Sequence, residues 1–423
     1  MILYDELQAI DRHIRVGLVG AGFMGRGIVE IFESTPGMEV VAVADIDIER
    51  AAACFEEIGF TKYDEITRSK GAKKTGFPEK RVITSDSSIL PEIEELDFII
   101  EATGVPEVGA QVAYRSIRQG KHVGMLNVET DVTIGHYLYT LAKNHGVVYT
   151  VCTGDEPVAI RELIDFSKTL GFSVVACGKG KNNPLDVSAT PESLAKPAGE
   201  KGLNPRILTE FVDGSKTMVE MCCVANAECL TIDTRNMHGP HANLNELARI
   251  FSVKQQGGIL STEGVVDYAI GDVAPGVFVV VRHEGRLVNR TMRYLKIGEG
   301  PNYLLYRPFH LTDIEVPISV AVGFLHKKPC LATASPPTTE VITIAKRDLH
   351  RGEFIDHIGG TTVYGGIETV ERALEQNLVP FGLCEGARMK EDVKKGTPVS
   401  FSQMEPKKSF LYELRRLQDR LYD

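Results

Sequence analysis

A glycine-rich turn near the start of the chain limits the fold more than any other feature. An apolar segment, residues 15–19, leads into the pattern Gly20-x-Gly22-x-x-Gly25, and an amphipathic helical pattern follows directly. The first glycine allows a tight turn, the second lets a pyrophosphate approach the backbone, and the third lets the helix pack on the strand. The start of that helix offers N–H groups to phosphates. The pattern predicts a Rossmann domain that binds a dinucleotide.

A second apolar segment, residues 38–44, strengthens this prediction because it ends in an acid, Asp45. The fingerprint expects an acid about 20 residues after the glycines, where its carboxylate accepts from the ribose hydroxyls and favours NAD over NADP. Arg50 could instead reach a 2′-phosphate, so the preference between NADP and NAD stays open. Two alternatives remain: the glycines form a structural turn in another α/β sheet, or Asp45 is the N-cap of the next helix.

Further cofactor contacts are expected at the first helix and after two later strands. The carboxyl ends of parallel strands meet at one edge of an open α/β sheet, and ligands bind there. The residues we expect at the cofactor are Gly20, Gly22, Phe23, Met24, Gly25, Asp45, Ala102, Thr103, Gly104 and Asn127.

Composition excludes several classes of partner. The formal net charge of −10 argues against a nucleic-acid groove or an anionic membrane surface, and no apolar segment approaches the length of a membrane span. The N-terminal residues lack the pattern of a signal peptide, and the eight cysteines include no metal-type pair. We therefore expect a cytoplasmic protein without a nucleic-acid or membrane partner. Separately from composition, we expect a small substrate, phosphorylated or acidic, and a homo-oligomer (dimer or tetramer).

A chain of 423 residues predicts several domains. Alternating strands and helices in residues 1–153 predict an α/β fold, a doubly wound parallel Rossmann sheet. Residues 154–335 are expected to form an α+β substrate, catalytic and oligomerisation domain. Residues 346–355 match residues 390–399 position by position, which predicts a small pseudo-symmetric β domain over residues 336–406. Residues 407–423 are expected to form a C-terminal helix that packs on a neighbour.

The charged residues of the middle domain are the candidates for catalysis. Lys179 and Lys181 lie in a glycine-rich segment that we interpret as a loop after a strand, and a lysine that becomes buried can donate a proton to a carbonyl. The alternative is a solvated basic loop. Asp213, Lys216 and Glu220 fall at the start of a predicted helix. Their alternative is a helix cap with a structural pair four residues apart.

Two further candidates follow a predicted strand in the same domain. Arg307 could bind a carboxylate or phosphate with both guanidinium nitrogens, and His310 lies close to it in sequence. A satisfied, partly buried ion pair is the alternative for Arg307. His238 and His241 are too close together, and too turn-like, to indicate a zinc site.

These motifs together resemble known families. The N-terminal part, with its glycine turn and Ala102-Thr103-Gly104, resembles homoserine dehydrogenase, and the C-terminal repeat resembles the SAF domain, a β-clip fold. The whole combination resembles the 1-deoxy-D-xylulose 5-phosphate reductoisomerase-like oxidoreductases. The residues that carry it are Gly178-Lys179-Gly180, Asp213-Gly214-Ser215-Lys216, Glu220, His238-Gly239-Pro240 and Arg307-Pro308-x-His310-Leu311.

The resemblance implies a reaction in isoprenoid precursor synthesis: a carbon-skeleton rearrangement followed by hydride transfer from NADP or NAD. Lys179, Lys181 or Arg307 would then hold the phosphate, while Lys216 and Glu220 would handle protons. It also implies a divalent metal, for which Asp155, Glu156, Asp213 and Glu220 could supply ligands.

One departure separates the chain from homoserine dehydrogenase itself. Those enzymes have a lysine after the strand-end asparagine, whereas Asn127 is followed by Val128 and Glu129. The departure favours the reductoisomerase-like branch. A related dehydrogenase of another hydroxy acid or sugar acid, and a non-catalytic sensor that binds the cofactor, remain the alternatives.

Overall fold

The computed structural model describes residues 3–67 and 80–422 of the chain. The chain forms two compact units. The first unit comprises Met1–Val158, Leu311–Ala334 and Ser409–Asp423, and the second comprises Ala159–His310 and Ser335–Lys408. Residues 61–81 are polar and rich in lysine and glycine, which predicts an exposed excursion, and within this segment residues 68–79 lie outside the described residues.

The strands within the described ranges are β1 (Ile14–Val19), β2 (Met38–Ala44), β3 (Tyr63–Glu65), β4 (Arg81–Thr84), β5 (Phe98–Glu101), β6 (His122–Met125), β7 (Tyr149–Val151), β8 (Ser173–Lys181), β9 (Val265–Ile270), β10 (Val277–Arg282), β11 (Asn302–Arg307), β12 (Thr339–Ala345), β13 (Val363–Thr369), β14 (Arg388–Met389) and β15 (Met404–Glu405).

The α-helices of the same ranges are α1 (Leu3–Gln8), α2 (Phe23–Glu33), α3 (Ile48–Glu56), α4 (Pro106–Arg118), α5 (Val128–Asn144), α6 (Glu156–Thr169), α7 (Ala195–Glu200), α8 (Pro205–Asp213), α9 (Ser215–Glu228), α10 (Leu247–Ile250), α11 (Arg286–Tyr294), α12 (Val316–Ala321), α13 (Val370–Glu375) and α14 (Phe410–Asp419). None of these helices is long and apolar enough to cross a membrane.

The first unit is built on a seven-stranded parallel sheet in the order β3-β4-β2-β1-β5-β6-β7. Strands β1 to β4 form one half of the sheet, with β3 at the edge beyond β4, and the chain then returns to build the other half from β5 outward. The order therefore reverses between β1 and β5, and such a switch point opens a crevice at the carboxyl ends of the strands. This topology confirms the predicted α/β class and the doubly wound Rossmann sheet.

Helix α14 belongs to the first unit. The carboxylate of Glu107 in α4 accepts hydrogen bonds from the backbone N–H groups of Phe410 (3.1 Å) and Leu411 (2.9 Å). The first N–H groups of a helix have no partner inside the helix, so an acceptor there stabilises its start. The predicted C-terminal helix thus forms, and it packs on α4 and α5 of its own chain.

The main sheet of the second unit is mixed, in the order β11-β10-β8-β9. Strand β10 runs antiparallel to β8 and β11, whereas β8 and β9 are parallel. One face is apolar, and there the ring of Phe278 stacks on Phe251 at a centroid distance of 5.2 Å. Residues that neighbour each other across strands share a face, so Lys179 and Arg307, both paired with Val277, lie together on the other face.

The internal repeat forms a pseudo-twofold pair. Leu349 and Val393 hold equivalent positions in the two copies, and each donates its backbone N–H to the carbonyl of the other (2.8 and 3.0 Å). The glycines of the two turns, Gly352 and Gly396, both have positive φ, at +88° and +78°. The glycine turns are thus confirmed, whereas the strands expected after them are reduced to isolated bridges at Phe354 and Pro398. The assignment of this region to the SAF fold stays a prediction.

Candidate functional site

The glycine turn of the first unit has the geometry that a dinucleotide needs. Gly20 has a φ of +103°, which only glycine adopts readily. A Cβ on Gly25 would lie 2.0 Å from the carbonyl oxygen of Gly20, so glycine is required for α2 to pack against the turn. A Cβ on Gly22 would meet nothing within 4 Å, which leaves open space beside the backbone. Gly22 is also the N-cap of α2 and supplies no capping side chain. These features fit a bound pyrophosphate.

Asp45 ties the end of β2 to this turn. One carboxylate oxygen accepts from the Ala21 N–H at 2.7 Å, and the other accepts from the Asp47 N–H at 2.9 Å. The N-cap of α3 is Asp47, which accepts from the Glu49 N–H, so the alternative role of Asp45 as that cap is wrong. A carboxylate can accept about four hydrogen bonds, and Asp45 therefore retains capacity for ribose hydroxyls. Its contact with the cofactor stays a prediction.

The other residues expected at the cofactor lie on the same unit. Phe23 is 68% exposed at the start of α2, and Met24 is half-buried beside it. Ala102, Thr103 and Gly104 follow β5 directly, and Gly104 has a φ of +66°. Asn127 follows β6 and is the N-cap of α5, where its side chain accepts from the Thr130 N–H.

Sequence reasoning missed Glu101, the last residue of β5. It is fully buried, and it accepts hydrogen bonds from both the backbone N–H and the hydroxyl of Thr103. Burial raises the pKa of Glu101 to about 7, and the nearby charge of Glu129 adds to the rise. An acid at the end of an apolar strand pattern, directly before the Ala-Thr-Gly turn, was the signal that could have identified it.

In the second unit, the two lysines of the glycine-rich segment lie in a strand. Residues 178–181 form the end of β8, so their interpretation as a loop is wrong. The glycines are needed because a Cβ on Gly178 would lie 1.8 Å from the Asp267 carbonyl oxygen, and one on Gly180 would lie 2.1 Å from the Ala274 nitrogen. The alternation of glycine and lysine places Lys179 and Lys181 on one face of the sheet.

Lys179 forms a buried ion pair with Glu220 of α9. The Lys179 ammonium donates to Oε2 of Glu220, and the two side chains are 9% and 2% exposed. Removing a carboxylate and an ammonium from water costs several kcal/mol each, which a close contact between them offsets only in part. A buried charge pair of this kind is more typical of a functional site than of a fold that needs only stability.

Lys181 lies beside this pair and is itself buried. Its ammonium donates to the Phe211 carbonyl at 2.6 Å. Burial, and next the positive charge of Lys179, lowers the pKa of Lys181 to about 8, against the opposing charges of Glu220 and Asp213. A lysine with this pKa exchanges protons readily near neutral pH. The solvated basic loop considered for both lysines is therefore wrong.

The helix predicted to start near Asp213 and run to about Glu228 is α9, and Gly214, with a φ of +90°, separates it from α8. Asp213 accepts from the Ser215 N–H at 2.9 Å, as expected of a residue at the helix start. Its other oxygen is bound by the Lys346 ammonium at 2.8 Å. Lys216 is half-buried in the first turn of α9, one turn before Glu220.

Arg307 and His310 have partners at the end of β11. The Arg307 guanidinium pairs with Glu162 of α6 at 2.9 Å and lies over the ring of Phe309, and Nδ1 of His310 is 2.9 Å from the Pro275 carbonyl oxygen. The ion pair considered for Arg307 is thus present. The structure brings Lys179, Lys181, Asp213 and Glu220 together, with Lys216 on the same helix as Glu220. His310 contacts the β9–β10 connection at Pro275.

Two more arrangements escaped sequence reasoning. The first is the contact between Lys346 and Asp213, which are 133 positions apart. The only sequence feature that marked Lys346 was its place in the repeat. His238 lies between two carboxylates, with Nδ1 2.9 Å from Asp267 and Nε2 3.2 Å from Asp233. The hydrogen bond to Asp267 raises the pKa of His238.

Comparison with known families agrees with a cofactor site in the first unit and a catalytic site in the second. Residues 14–152 match the family described as "Oxidoreductase family, NAD-binding Rossmann fold", and residues 154–316 match "Oxidoreductase DRL, catalytic domain". With the geometry of the glycine turn, the matches define the class: the protein is an NAD(P)-dependent oxidoreductase. This confirms the predicted enzyme class and nicotinamide cofactor.

Individual relatives are more distant. A glycosyl hydrolase family 109 protein from Streptomyces niveus is 27% identical over 115 residues, which cover 26% of this chain and about a fifth (20%) of that protein. A homoserine dehydrogenase structure from Thiobacillus denitrificans has 14% identity, covers 92% of this chain and 98% of its own, and gives a TM-score of 0.46. A DOX-P reductoisomerase in complex with magnesium has 14% identity, coverages of 74% and 70%, and a TM-score of 0.42. At these values the structural likenesses carry no functional argument.

Proposed function

We propose that the protein is a reductoisomerase that converts 1-deoxy-D-xylulose 5-phosphate into 2-C-methyl-D-erythritol 4-phosphate. The observation that carries the proposal is the buried cluster of Lys179, Lys181 and Glu220, within the residues that match the DRL catalytic domain. The motifs that resemble the reductoisomerase-like family include Lys179 and Glu220, and Lys181 directly follows the Gly178-Lys179-Gly180 motif. The reaction requires an acid and a cation at a phosphorylated sugar, and the cluster offers both.

Bound NAD(P)H supplies the hydride. As the aldehyde of the rearranged substrate becomes an alkoxide, the alkoxide oxygen needs a proton, and we assign that proton to the Lys181 ammonium. With a pKa of about 8, Lys181 is mostly protonated at neutral pH and still a good donor. Glu220 pairs with the neighbouring Lys179 and balances its charge beside the reacting group.

The substrate phosphate is assigned to Lys179 and Arg307. Both occupy the same row of the second sheet, with one strand between them, so their backbone positions are about 10 Å apart. Both side chains have acidic partners, Glu220 and Glu162, which would hold them in place before substrate binds. Lys216, at the start of α9, is the further candidate for proton transfer.

The divalent metal implied by the resemblance stays a prediction. Asp213 and Glu220 each pair with a lysine, which weakens them as metal ligands. The homo-oligomer and the cytoplasmic location are likewise predictions.

The test is an absorbance assay of NADPH and NADH oxidation with 1-deoxy-D-xylulose 5-phosphate and Mg²⁺. The proposal expects oxidation of the cofactor and formation of 2-C-methyl-D-erythritol 4-phosphate, identified by mass spectrometry. Oxidation or reduction of the cofactor only with homoserine, a tetronate or another sugar acid would instead assign a related dehydrogenase. Failure of hydride transfer with every substrate, despite cofactor binding, would favour the sensor.

A further inference from the structure

The C-terminal β region contacts the start of α9 through a buried lysine. Lys346 follows β12 and is 3% exposed. Its ammonium donates three hydrogen bonds, to the Asp213 carboxylate (2.8 Å) and to the carbonyl oxygens of Ala189 (2.9 Å) and Gly360 (2.8 Å). An ammonium has three N–H donors, so Lys346 is fully satisfied. It joins three segments that are far apart in sequence.

A second contact fixes the same turn. The backbone N–H of Gly365, in β13, donates to the Ser215 hydroxyl at 2.8 Å. The turn from Asp213 to Ser215 is therefore held at its first residue by Lys346 and at its last by Gly365, with Gly214 between them in the left-handed conformation. Helix α9 starts at this turn and carries Glu220 into the buried pair with Lys179.

The internal repeat shows that the fold does not require this lysine to be buried. Lys390 is the equivalent residue of the second copy, and it is exposed and donates to the Phe401 carbonyl. Both copies nevertheless form the same glycine turn and pair through Leu349 and Val393. Burying a lysine is costly unless it is paired, so the burial of Lys346 calls for a reason outside the repeat.

We propose that Lys346 is a positioning residue of the catalytic cluster: through Asp213 it fixes the start of α9 and thereby the place of Glu220 and Lys179. The C-terminal β region is on this view a part of the catalytic unit. The proposal rests on the function assigned above to the cluster. Because a small displacement of reacting groups can reduce a rate about a hundredfold, loss of this contact should affect turnover strongly.

The test separates positioning from stability. The variant Lys346→Met leaves the Asp213 carboxylate buried without its ammonium, so it should lower the melting temperature. The double variant Lys346→Met/Asp213→Asn removes both charges and keeps an oxygen for the Ser215 N–H. Its melting temperature should therefore recover relative to Lys346→Met, although the Ala189 and Gly360 carbonyls still lose their donor. The matched control is Lys390→Met, at the equivalent but exposed position.

We expect the double variant to recover its melting temperature and yet to retain a kcat reduced about tenfold or more, with an unchanged KM for NADPH. Recovery of kcat together with melting temperature would overturn the proposal. Hydrogen exchange of residues 213–222 supplies a readout that needs no substrate: exchange should be faster in the double variant and unchanged in Lys390→Met. Wild-type exchange rates in the double variant would refute positioning even if the reductoisomerase assignment failed.

Discussion

The buried acid at the end of β5 gives a prediction with a definite sign. Glu101 is fully buried and has a pKa of about 7, whereas a glutamate in an unfolded chain has one of about 4.3. A pKa that is higher in the folded state than in the unfolded state means that the folded state favours the protonated form of Glu101. The contribution of Glu101 to stability is therefore complete below the unfolded pKa and is lost as the pH rises through 7.

The variant Glu101→Gln mimics the protonated acid and should remove this pH dependence. A shift of nearly three pKa units corresponds to a maximal difference of about 3 to 4 kcal/mol. Most of this difference in the free energy of unfolding develops below pH 6. Between pH 6 and pH 8.5, the free energy of unfolding of the wild type should fall by about 1 kcal/mol more than that of the variant. The amide oxygen of glutamine can still accept from the Thr103 N–H and hydroxyl.

The assay is urea-induced unfolding of the cofactor-free protein at pH 6 and pH 8.5. Glu94→Gln, an exposed acid shortly before β5, is the matched control and should follow the wild type. Parallel pH profiles for the wild type and Glu101→Gln would refute the reasoning, because they would mean that Glu101 is ionised in the fold throughout this range.

The remaining predictions concern cofactor and metal. Gly22→Ala should leave the melting temperature unchanged, because its methyl group enters open space, and should weaken NAD(P) binding, measured by calorimetry, because the pyrophosphate is expected in that space. Gly25→Ala should lower the melting temperature, since overpacking typically costs about 1–3 kcal/mol. Equal melting temperatures for the two would contradict this. Asp45→Ala should weaken NAD binding roughly tenfold and relax discrimination against NADP, whereas the helix-cap variant Asp47→Ala should keep the wild-type ratio. EDTA should abolish turnover and Mg²⁺ restore it; full activity in EDTA would exclude the metal.

Local sequence patterns predicted the first unit well. Spacing alone indicates the roles of the glycine turn, Asp45 and the apolar segments of β1, β2 and β5, because each of these features is adjacent in sequence to the strand or turn that it forms. The short edge strand β3 gave no comparable signal. Its three residues, Tyr63–Glu65, are largely exposed and polar, and they form a strand because β4 provides the hydrogen-bond partners.

The sequence identified individual residues of the candidate site in the second unit but not the contacts between them. Lys179 and Glu220 were both candidates, yet their contact joins residues 41 positions apart, and no periodicity indicates it. Glycines 178 and 180 were interpreted as signs of a loop, whereas they serve close packing of β8 against its neighbours. Lys346 was part of a recognised repeat, and only the tertiary structure distinguishes it from Lys390.

Single-turnover hydride transfer in a variant of the lysine–glutamate pair tests the central claim most directly. Lys179→Met/Glu220→Gln removes both charges together, so neither member of the pair is left as a buried ion without its partner. With cofactor affinity measured in the same preparation, we predict an unchanged Kd for NADPH and a rate of hydride transfer to 1-deoxy-D-xylulose 5-phosphate about a hundredfold lower. A wild-type rate in this variant would contradict the account, because the buried cluster would then have no part in the chemistry.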